Sequence, residues 1–213
     1  MAACTRVWST PPNPSETMAN RFLQTLFTPS VLDAQEHYYG RGRPPLPAPE
    51  RDPLGDDECA FITARDSFYL ATVSENGWPY VQHRGGARGF LRVVNPALLA
   101  FADYKGNRQL LTTGNLAVND RATLFLMDYP NQTRLKIIGH ARVVDAKENL
   151  ELAATLADPA VTRLVERLIF IDVVSFDWNC QQYITPRYSL EEIEGMTSRR
   201  KMNSEVMKPE DNI

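Results

Sequence analysis

Residues 101–109, FADYKGNRQ, place the end of a predicted strand before a glycine and three side chains that donate hydrogen bonds. Gly106 permits an unusual backbone angle, and Asn107, Arg108 and Gln109 follow it where a helical turn is predicted to open. Free N–H groups at a helix start point at an anion, and arginine can place two hydrogen bonds on its oxygens. The segment is therefore a candidate phosphate site, although an ordinary polar turn between a strand and a helix has the same composition.

The sequence predicts no metal site and no disulfide framework. Its three histidines are scattered, and no set of Cys, His and carboxylate residues has the spacing of metal ligands. Cys4, Cys59 and Cys180 are odd in number and widely spaced, which argues against disulfides. Cys180 has no flanking Lys or His to favour its thiolate, so an inert buried thiol is the better interpretation than a redox one.

The composition is that of a globular protein. The 213 residues suffice for one well-packed domain with appendages, and 43% of them are hydrophobic. A formal net charge of -3 gives no broad basic field, so we expect no nucleic-acid partner. No stretch approaches the roughly 18 apolar residues of a membrane span, and the N-terminus has no apolar signal core. We therefore expect no membrane association and a cytoplasmic location.

The N-terminal quarter is rich in proline. Nine of the fifteen prolines lie in residues 1–53, which argues against a continuous packed element there. Residues 1–15 are predicted to form a mobile tail. From Glu16 to Leu32 the apolar residues recur at helical spacing and predict one short amphipathic helix. Residues 40–53 then predict a linker-like wrap, whose arginines suit a solvated loop better than an anion site.

Alternating apolar runs predict a sheet in the rest of the chain. The predicted strands cover residues 68–74, 78–83, 90–94, 98–104, 122–129, 134–144 and 168–178. Predicted helices lie near residues 56–65 and 146–157, and residues 106–120 predict a short helix plus a loop. Because short turns join most of the strands, they predict an antiparallel sheet that closes into a small barrel. Strands and helices do not alternate, and GGARG (85–89) lacks the spacing of a dinucleotide-binding loop.

Four segments, in this order, resemble the motifs of the pyridoxamine 5′-phosphate oxidase superfamily. They are ATVSENGWPYVQHRGG (71–86), FADYKGNRQ (101–109), GNLAVNDRATLFLMDY (114–129) and RLKIIGHARVV (134–144). A fifth, DWNCQQYITPR (177–187), is similar to the C-terminal element of the bacterial flavin-nucleotide-binding branch of that family. One such segment alone is weak evidence, whereas the ordered set is fairly specific.

The resemblance implies a mainly β, α+β fold: a six-stranded antiparallel split β-barrel of the FMN-binding type, with flanking helices. It places the barrel at residues 56–188, after an N-terminal extension (1–55) and before a charged tail (189–213). It also implies a homodimer with the flavin near the interface. The apolar runs 124–129 and 168–178 are expected to supply interface surface, because they hold more large apolar side chains than one side of a small barrel buries.

The resemblance also implies cofactor-binding residues. The Gly-Ser-Arg phosphate turn of the family falls on Gly106, Asn107 and Arg108, and Gln109 replaces the lysine that follows it. The flavin-contacting strand of the family falls on residues 82–85, where Gln82 replaces an arginine and Arg84 is expected to supply the missing charge. The further positions expected near the flavin are His83, Gly85, Asp103, Arg134, Trp178, Asn179, Gln182 and Arg187.

Several of these positions have a structural alternative. Asp103 is expected only as a neighbour of the flavin, since a carboxylate beside a phosphate is unfavourable. His83 could face the barrel without binding a ligand, and Arg134 could pair with Asp128 or Asp103. Trp178 could lie in the core or cover the flavin ring.

Two functions are compatible with these features. The first is an FMN-dependent oxidoreductase acting on a small molecule or a nicotinamide cofactor. The second is an FMN-binding protein without turnover, such as a carrier, a sensor or a redox partner, because no acid/base set is evident and no catalytic residue can be assigned. The R-x-H-D-R substrate motif of true pyridoxamine 5′-phosphate oxidases is absent, so that activity itself is not expected.

Overall fold

The computed structural model describes residues 20–42, 44–179 and 182–197. The predicted tail at residues 1–15, the first residues of the helix predicted from Glu16, Cys180 and the end of the charged tail lie outside these ranges. None of the helices within them is long and apolar enough to cross a membrane.

A single antiparallel sheet forms the body of the protein, as the alternating apolar runs predict. In the described residues its strands are β1 (Ser67–Val73), β2 (Pro79–Gly85), β3 (Arg92–Asn95), β4 (Leu98–Tyr104), β5 (Arg121–Asp128), β6 (Thr133–Asp145) and β7 (Val165–Asn179). They follow the order β2-β1-β5-β6-β7-β4-β3 across the sheet. The described strands number seven, as many as the predicted strand segments and one more than the family resemblance implies, and the short β3 pairs with β4 alone.

The sheet curls without closing, and β2 and β3 are its two edges in the described chain. Arg84 on β2 nevertheless reaches Asp103 on β4, which lies near the opposite edge. Phe90, from the segment before β3, stacks on Phe68 of β1 with ring centroids 5.5 Å apart and meets Phe101 of β4 edge-on. The result is a split barrel in which side chains, rather than backbone hydrogen bonds, bridge the split.

Short helices surround the sheet. They are α1 (Asn20–Leu26), α2 (Pro29–Tyr39), α3 (Asp56–Thr63), α4 (Leu111–Val118), α5 (Leu150–Leu156) and α6 (190–197). The prediction of one helix from Glu16 to Leu32 is wrong, because the described part of that segment holds the separate helices α1 and α2. Pro29 starts the second helix, where its missing N–H costs nothing, whereas inside a continuous helix it would remove a hydrogen bond.

The main hydrophobic core lies inside the curled sheet. β5 shows how the sequence builds it, since Ala122, Leu124 and Leu126 are buried while the residues between them face outward. From α3, Phe61 and Ile62 cover this core and are fully buried. Deleting large side chains from such a site costs several kcal/mol, so the core fixes the frame on which polar residues are held.

The first part of strand β7 is covered on both of its faces within one chain. Its inward residues join the main core, and Leu168 and Phe170 pack outward in a second cluster that includes Ala153 and Leu156 of α5. Most apolar side chains of the run 168–178 are thus buried within one chain, and the expectation that this run supplies dimer surface stays a prediction.

Gly139 marks an irregularity where β6 pairs with β7. The register shifts between Ile138 and Gly139, and a Cβ atom at Gly139 would lie 2.5 Å from the Asp172 carbonyl oxygen. Only glycine allows this approach, which gives a physical reason for the glycine in the segment RLKIIGHARVV of β6.

Candidate functional site

Strand β2 carries the first group of predicted site residues, and it separates them by face. Gln82 and Arg84 are half-buried and lie opposite Leu70 and Phe68 of β1, whose side chains are buried in the core. His83 is exposed on the other face, as the alternation of a strand requires. The run 82–85 therefore contributes Gln82 and Arg84 to the inner side of the split and His83 to the outer side.

Arg84 takes part in an ion-pair cluster that joins three strands. Its Nη1 donates to Oδ1 of Asp103 on β4, and Nε of Arg167 on β7 donates to the other carboxylate oxygen at 2.8 Å. All three side chains are largely buried, with exposed fractions of 15% for Arg84, 7% for Asp103 and 17% for Arg167. Asp103 therefore does not repel a neighbouring anion as an isolated carboxylate would, because two arginines share its charge.

The second arginine is held in its charged form. Burial favours the neutral form of Arg167, but the hydrogen bonds and charges of Asp103 and Glu166 outweigh burial and raise its pKa above the ordinary value. Glu166 pairs with Arg167 at 3.0 Å, yet its side chain is 37% exposed, so water screens that charge more than the charge of Asp103. The cluster of Arg84, Asp103 and Arg167 carries two positive charges against one negative.

One nitrogen of Arg84 remains unused. Its Nε is buried and has no hydrogen-bond partner among the described residues. A buried donor without an acceptor costs free energy, which makes this nitrogen a specific place for a ligand oxygen or a bound water.

The loop between β4 and α4 borders the same region. Gln82 accepts a hydrogen bond from the Thr112 hydroxyl in the first turn of α4 at 3.0 Å, so β2 is tied to the helix that ends the loop. Gly106, Asn107, Arg108 and Gln109 are all exposed within that loop. The structure thus brings Gln82, Arg84, Asp103 and the loop into one neighbourhood.

The loop geometry differs from the predicted helical turn. α4 begins only at Leu111, and Arg108 and Leu110 adopt left-handed backbone angles, with φ of 63° and 54°. The Asn107 side chain accepts a hydrogen bond from the Gln109 backbone N–H at 3.1 Å. The predicted phosphate turn is therefore a loop before the helix, and its backbone strain is typical of functional sites.

A second group of predicted residues lies on the outer face of the sheet. His83 meets the Tyr69 ring edge-on at 5.5 Å, and the Arg187 guanidinium lies 5.0 Å from the Tyr129 ring centroid. Burial raises the pKa of the Tyr129 hydroxyl, and its hydrogen bond with Tyr69 raises that pKa further, while Arg187 acts in the opposite direction. His83 and Arg187 are thus joined through two tyrosines, on the face opposite to Arg84.

Arg134 also lies on the outer face, opposite Met127 of β5. The alternative that it pairs with Asp128 or Asp103 is wrong, since Asp128 binds Arg65 at 2.9 Å and Asp103 binds the other two arginines. Its Nε is buried without a hydrogen-bond partner in the described part of the chain.

Trp178 lies in the core. It is 6% exposed, its Nε1–H donates to the buried Glu58 carboxylate at 2.6 Å, and its ring meets Phe61 edge-on. This geometry favours the core alternative. The backbone of Asn179 pairs with Arg134, its side chain lies outside the described residues, and Gln182 is exposed.

Sequence reasoning did not select Arg167. The signal that could have identified it is its position directly opposite Asp103 in the β4–β7 ladder, where opposite charges stabilise the pair. That position cannot be recognised until the register between β4 and β7 is known, because Asp103 and Arg167 lie 64 residues apart in the sequence.

A cleft of about 710 Å³ lies elsewhere, between α1 and the outer face of the sheet, and includes none of the predicted site residues. Among the described residues, no group of three or more His, Cys, Asp or Glu side chains could hold a metal ion.

Comparisons with solved structures give distant similarities. A variant of HupZ from Group A Streptococcus is 13% identical, with 59% of this chain and 99% of that chain covered and a TM-score of 0.47. A pyridoxamine 5′-phosphate oxidase-like protein from Lactobacillus delbrueckii is 17% identical, with 58% and 93% covered and a TM-score of 0.46. A conserved hypothetical protein from Mycobacterium tuberculosis is 15% identical, with 66% and 94% covered and a TM-score of 0.46. No curated protein sequence matches this chain.

A family model described as pyridoxamine 5′-phosphate oxidase matches residues 56–168. The match begins at the first residue of α3, contains β1 to β6, and ends within β7. It includes all three members of the ion-pair cluster. Since it covers more than half of the sequence, the chain belongs to the pyridoxamine 5′-phosphate oxidase family.

Proposed function

We propose that this protein binds FMN by its phosphate at the end of β2, and that it is an oxidoreductase acting on a small molecule or a nicotinamide cofactor. The observation that carries the proposal is the Arg84 guanidinium. Asp103 fixes one of its nitrogens, while the buried Nε has no acceptor among the described residues. An anionic oxygen at this place would satisfy that donor, and family membership supports a flavin nucleotide as the source of the oxygen.

The donors around Arg84 fit a phosphate. Gln82 lies on the same face of β2, and the adjacent loop offers the exposed Asn107 amide, the Arg108 guanidinium and the Gln109 amide. Guanidinium groups place paired hydrogen bonds on phosphate oxygens, and amides add neutral donors. We expect Arg84 and Arg108 to supply the positive charge.

Bound FMN would supply the redox chemistry by accepting a hydride or electrons and passing them on. The residues of this chain have a different task, which is to fix the phosphate and thereby the position of the flavin ring. The enzymatic part of the proposal is tested by mixing FMN-loaded protein with NADH or NADPH under anaerobic conditions. Rapid bleaching of the flavin supports an oxidoreductase, whereas no bleaching favours a carrier, sensor or redox partner.

We expect purified protein to bind FMN in preference to FAD. The proposed site receives a terminal phosphate, and the sequence carries no second nucleotide motif. Titration of flavin fluorescence against protein measures both affinities, and mass spectrometry identifies any flavin that copurifies. Tighter binding of FAD, or no flavin binding at micromolar concentrations, contradicts the cofactor assignment.

We expect a homodimer in which each subunit completes the flavin site of the other. His83, Arg134 and Arg187 lie on the outer face, away from Arg84, so one subunit alone does not gather all the predicted residues. Outward residues of the run 124–129 are half-buried and offer surface beside them. Light scattering measures the assembly, and a monomer that still holds FMN tightly excludes this arrangement.

Pyridoxamine 5′-phosphate oxidase activity is expected to be absent even with saturating FMN. The substrate of that reaction carries its own phosphate near -2, and a second dianion needs a second set of cationic donors. Within the described C-terminal segment 182–188, Arg187 is the charged residue. The assay is aldehyde formation from pyridoxamine 5′-phosphate in air. Turnover of about 1 per second or faster, which is ordinary for an enzyme, contradicts the expectation.

A further inference from the structure

The proposed phosphate site contains a carboxylate, and its presence requires an explanation. Asp103 is buried beside the arginine that is proposed to bind the anion. Paired with Arg84 alone, it would cancel the charge of that arginine and weaken its attraction for a phosphate. The second arginine on Asp103 changes this balance.

We propose that Arg167 and Asp103 are positioning residues for the FMN phosphate, an inference that rests on the proposed function. Asp103 fixes the direction of the Arg84 guanidinium, and Arg167 neutralises Asp103 so that Arg84 keeps an effective positive charge. Neither residue touches the phosphate. Their effect reaches it through Arg84.

The register of the strands makes this arrangement rigid. Asp103 and Arg167 are directly paired between β4 and β7, and the neighbouring inward pair is Phe101 with Ile169 in the main core. Arg84 comes from the other side of the split, on β2. Arg167 thus holds the Asp103 carboxylate in place on the sheet, and Asp103 in turn fixes Arg84.

The charge balance gives a specific expectation for Arg167→Gln. The amide keeps a hydrogen-bond donor near Asp103 but removes the positive charge, so Asp103 and Arg84 cancel each other. The attraction between the site and the phosphate falls, whereas the contacts of the flavin ring and the ribityl chain do not change. The loss should therefore appear with FMN and be absent with riboflavin, which has no phosphate.

The experiment is a fluorescence titration of full-length wild-type protein, Arg167→Gln and Arg167→Lys with FMN and with riboflavin, at low and high salt. For Arg167→Gln we expect an FMN Kd raised on the order of tenfold, as the loss of one partly buried charge implies. The riboflavin Kd should stay within about twofold, and Arg167→Lys should recover part of the FMN affinity because the charge returns. The FMN Kd of Arg167→Gln should also depend less on salt than that of the wild type.

Arg163→Gln is the matched control. Arg163 is exposed and lies four residues before Arg167, so its substitution makes the same change in net charge without touching the cluster. We expect its FMN and riboflavin affinities to equal those of the wild type. A loss as large as that of Arg167→Gln would mean that net charge alone is responsible, which overturns the inference.

The remaining outcomes distinguish a failure of this inference from a failure of the proposed function. If Arg167→Gln weakens both flavins equally, Arg167 is merely structural and the inference fails while FMN binding stands. If neither affinity changes, the inference fails in the same way. If wild-type protein binds neither flavin, the proposed function itself fails, and the inference falls with it. Circular dichroism shows whether each variant is folded, and Arg167→Lys decides the matter by its salt dependence where Arg167→Gln does not fold.

Discussion

Replacement of Arg84 by alanine is expected to weaken FMN binding by about 2–5 kcal/mol, the usual cost of removing one member of a hydrogen-bonded charge pair. The variant loses the buried Nε donor and the charge nearest the proposed phosphate position. It also leaves Asp103, which Arg167 still neutralises, so no unpaired charge is buried and the fold should persist. Titration of flavin fluorescence gives the affinity, and thermal melting reports the fold.

Two further variants test whether the loss of FMN affinity is specific to Arg84. Arg88→Ala removes an equal charge from an exposed position four residues away and should leave FMN affinity unchanged. Arg108→Ala should give a smaller loss than Arg84→Ala, because water screens the exposed Arg108 side chain in the loop. Equal, small losses in Arg84→Ala and Arg88→Ala would place the phosphate elsewhere in the protein.

The second large effect concerns stability. Trp178→Phe should lower the free energy of unfolding by about 1.5–3 kcal/mol, because it removes a hydrogen bond to a charged group. The Nε1–H of Trp178 donates to Glu58, which is buried and whose other carboxylate oxygen accepts from the Gly55 backbone N–H. Phenylalanine retains an aromatic ring but leaves one carboxylate oxygen without this donor. Urea denaturation measures the change.

The same variant decides the role of Trp178 toward the flavin. FMN affinity should be unchanged, since the ring packs against Phe61 in the core. Trp78→Phe is the control, because Trp78 is 73% exposed and its substitution should alter neither stability nor binding. Weaker FMN binding with unchanged stability in Trp178→Phe would show that Trp178 contacts the flavin rather than only the core.

The strands were predictable because their residues alternate in a way that few other structures allow. The runs 122–129 and 134–144 lie within or close to β5 and β6, whose inward residues are apolar. The pairing of β4 with β7 was not predictable, because a turn fixes the register only between the two strands that it joins. Pro29 gave a visible signal for a break between α1 and α2, and apolar spacing across it was misleading.

Some residues of the candidate site were predictable, whereas the contacts between them were not. Family resemblance selected Arg84 and Asp103, but their direct contact required knowledge of how β2 approaches β4 across the split. The same limit hid Arg167. In contrast, the separation of His83 from Arg84 follows from strand alternation alone, so the sequence already contained that information.

The open split makes FMN, bound as proposed, a structural component of the protein. Among the described strands, β2 has a backbone partner on one side only, β1, and the ion pair of Arg84 connects it to β4. A ligand that binds both Arg84 and the loop after β4 would connect the two sides of the split. Such a ligand would favour the folded state over the unfolded one. By mass action such a ligand adds about 2.7 kcal/mol of stability at a concentration one hundred times its Kd. Cofactor supply would then set how much of the protein stays folded and resists proteolysis in the cell.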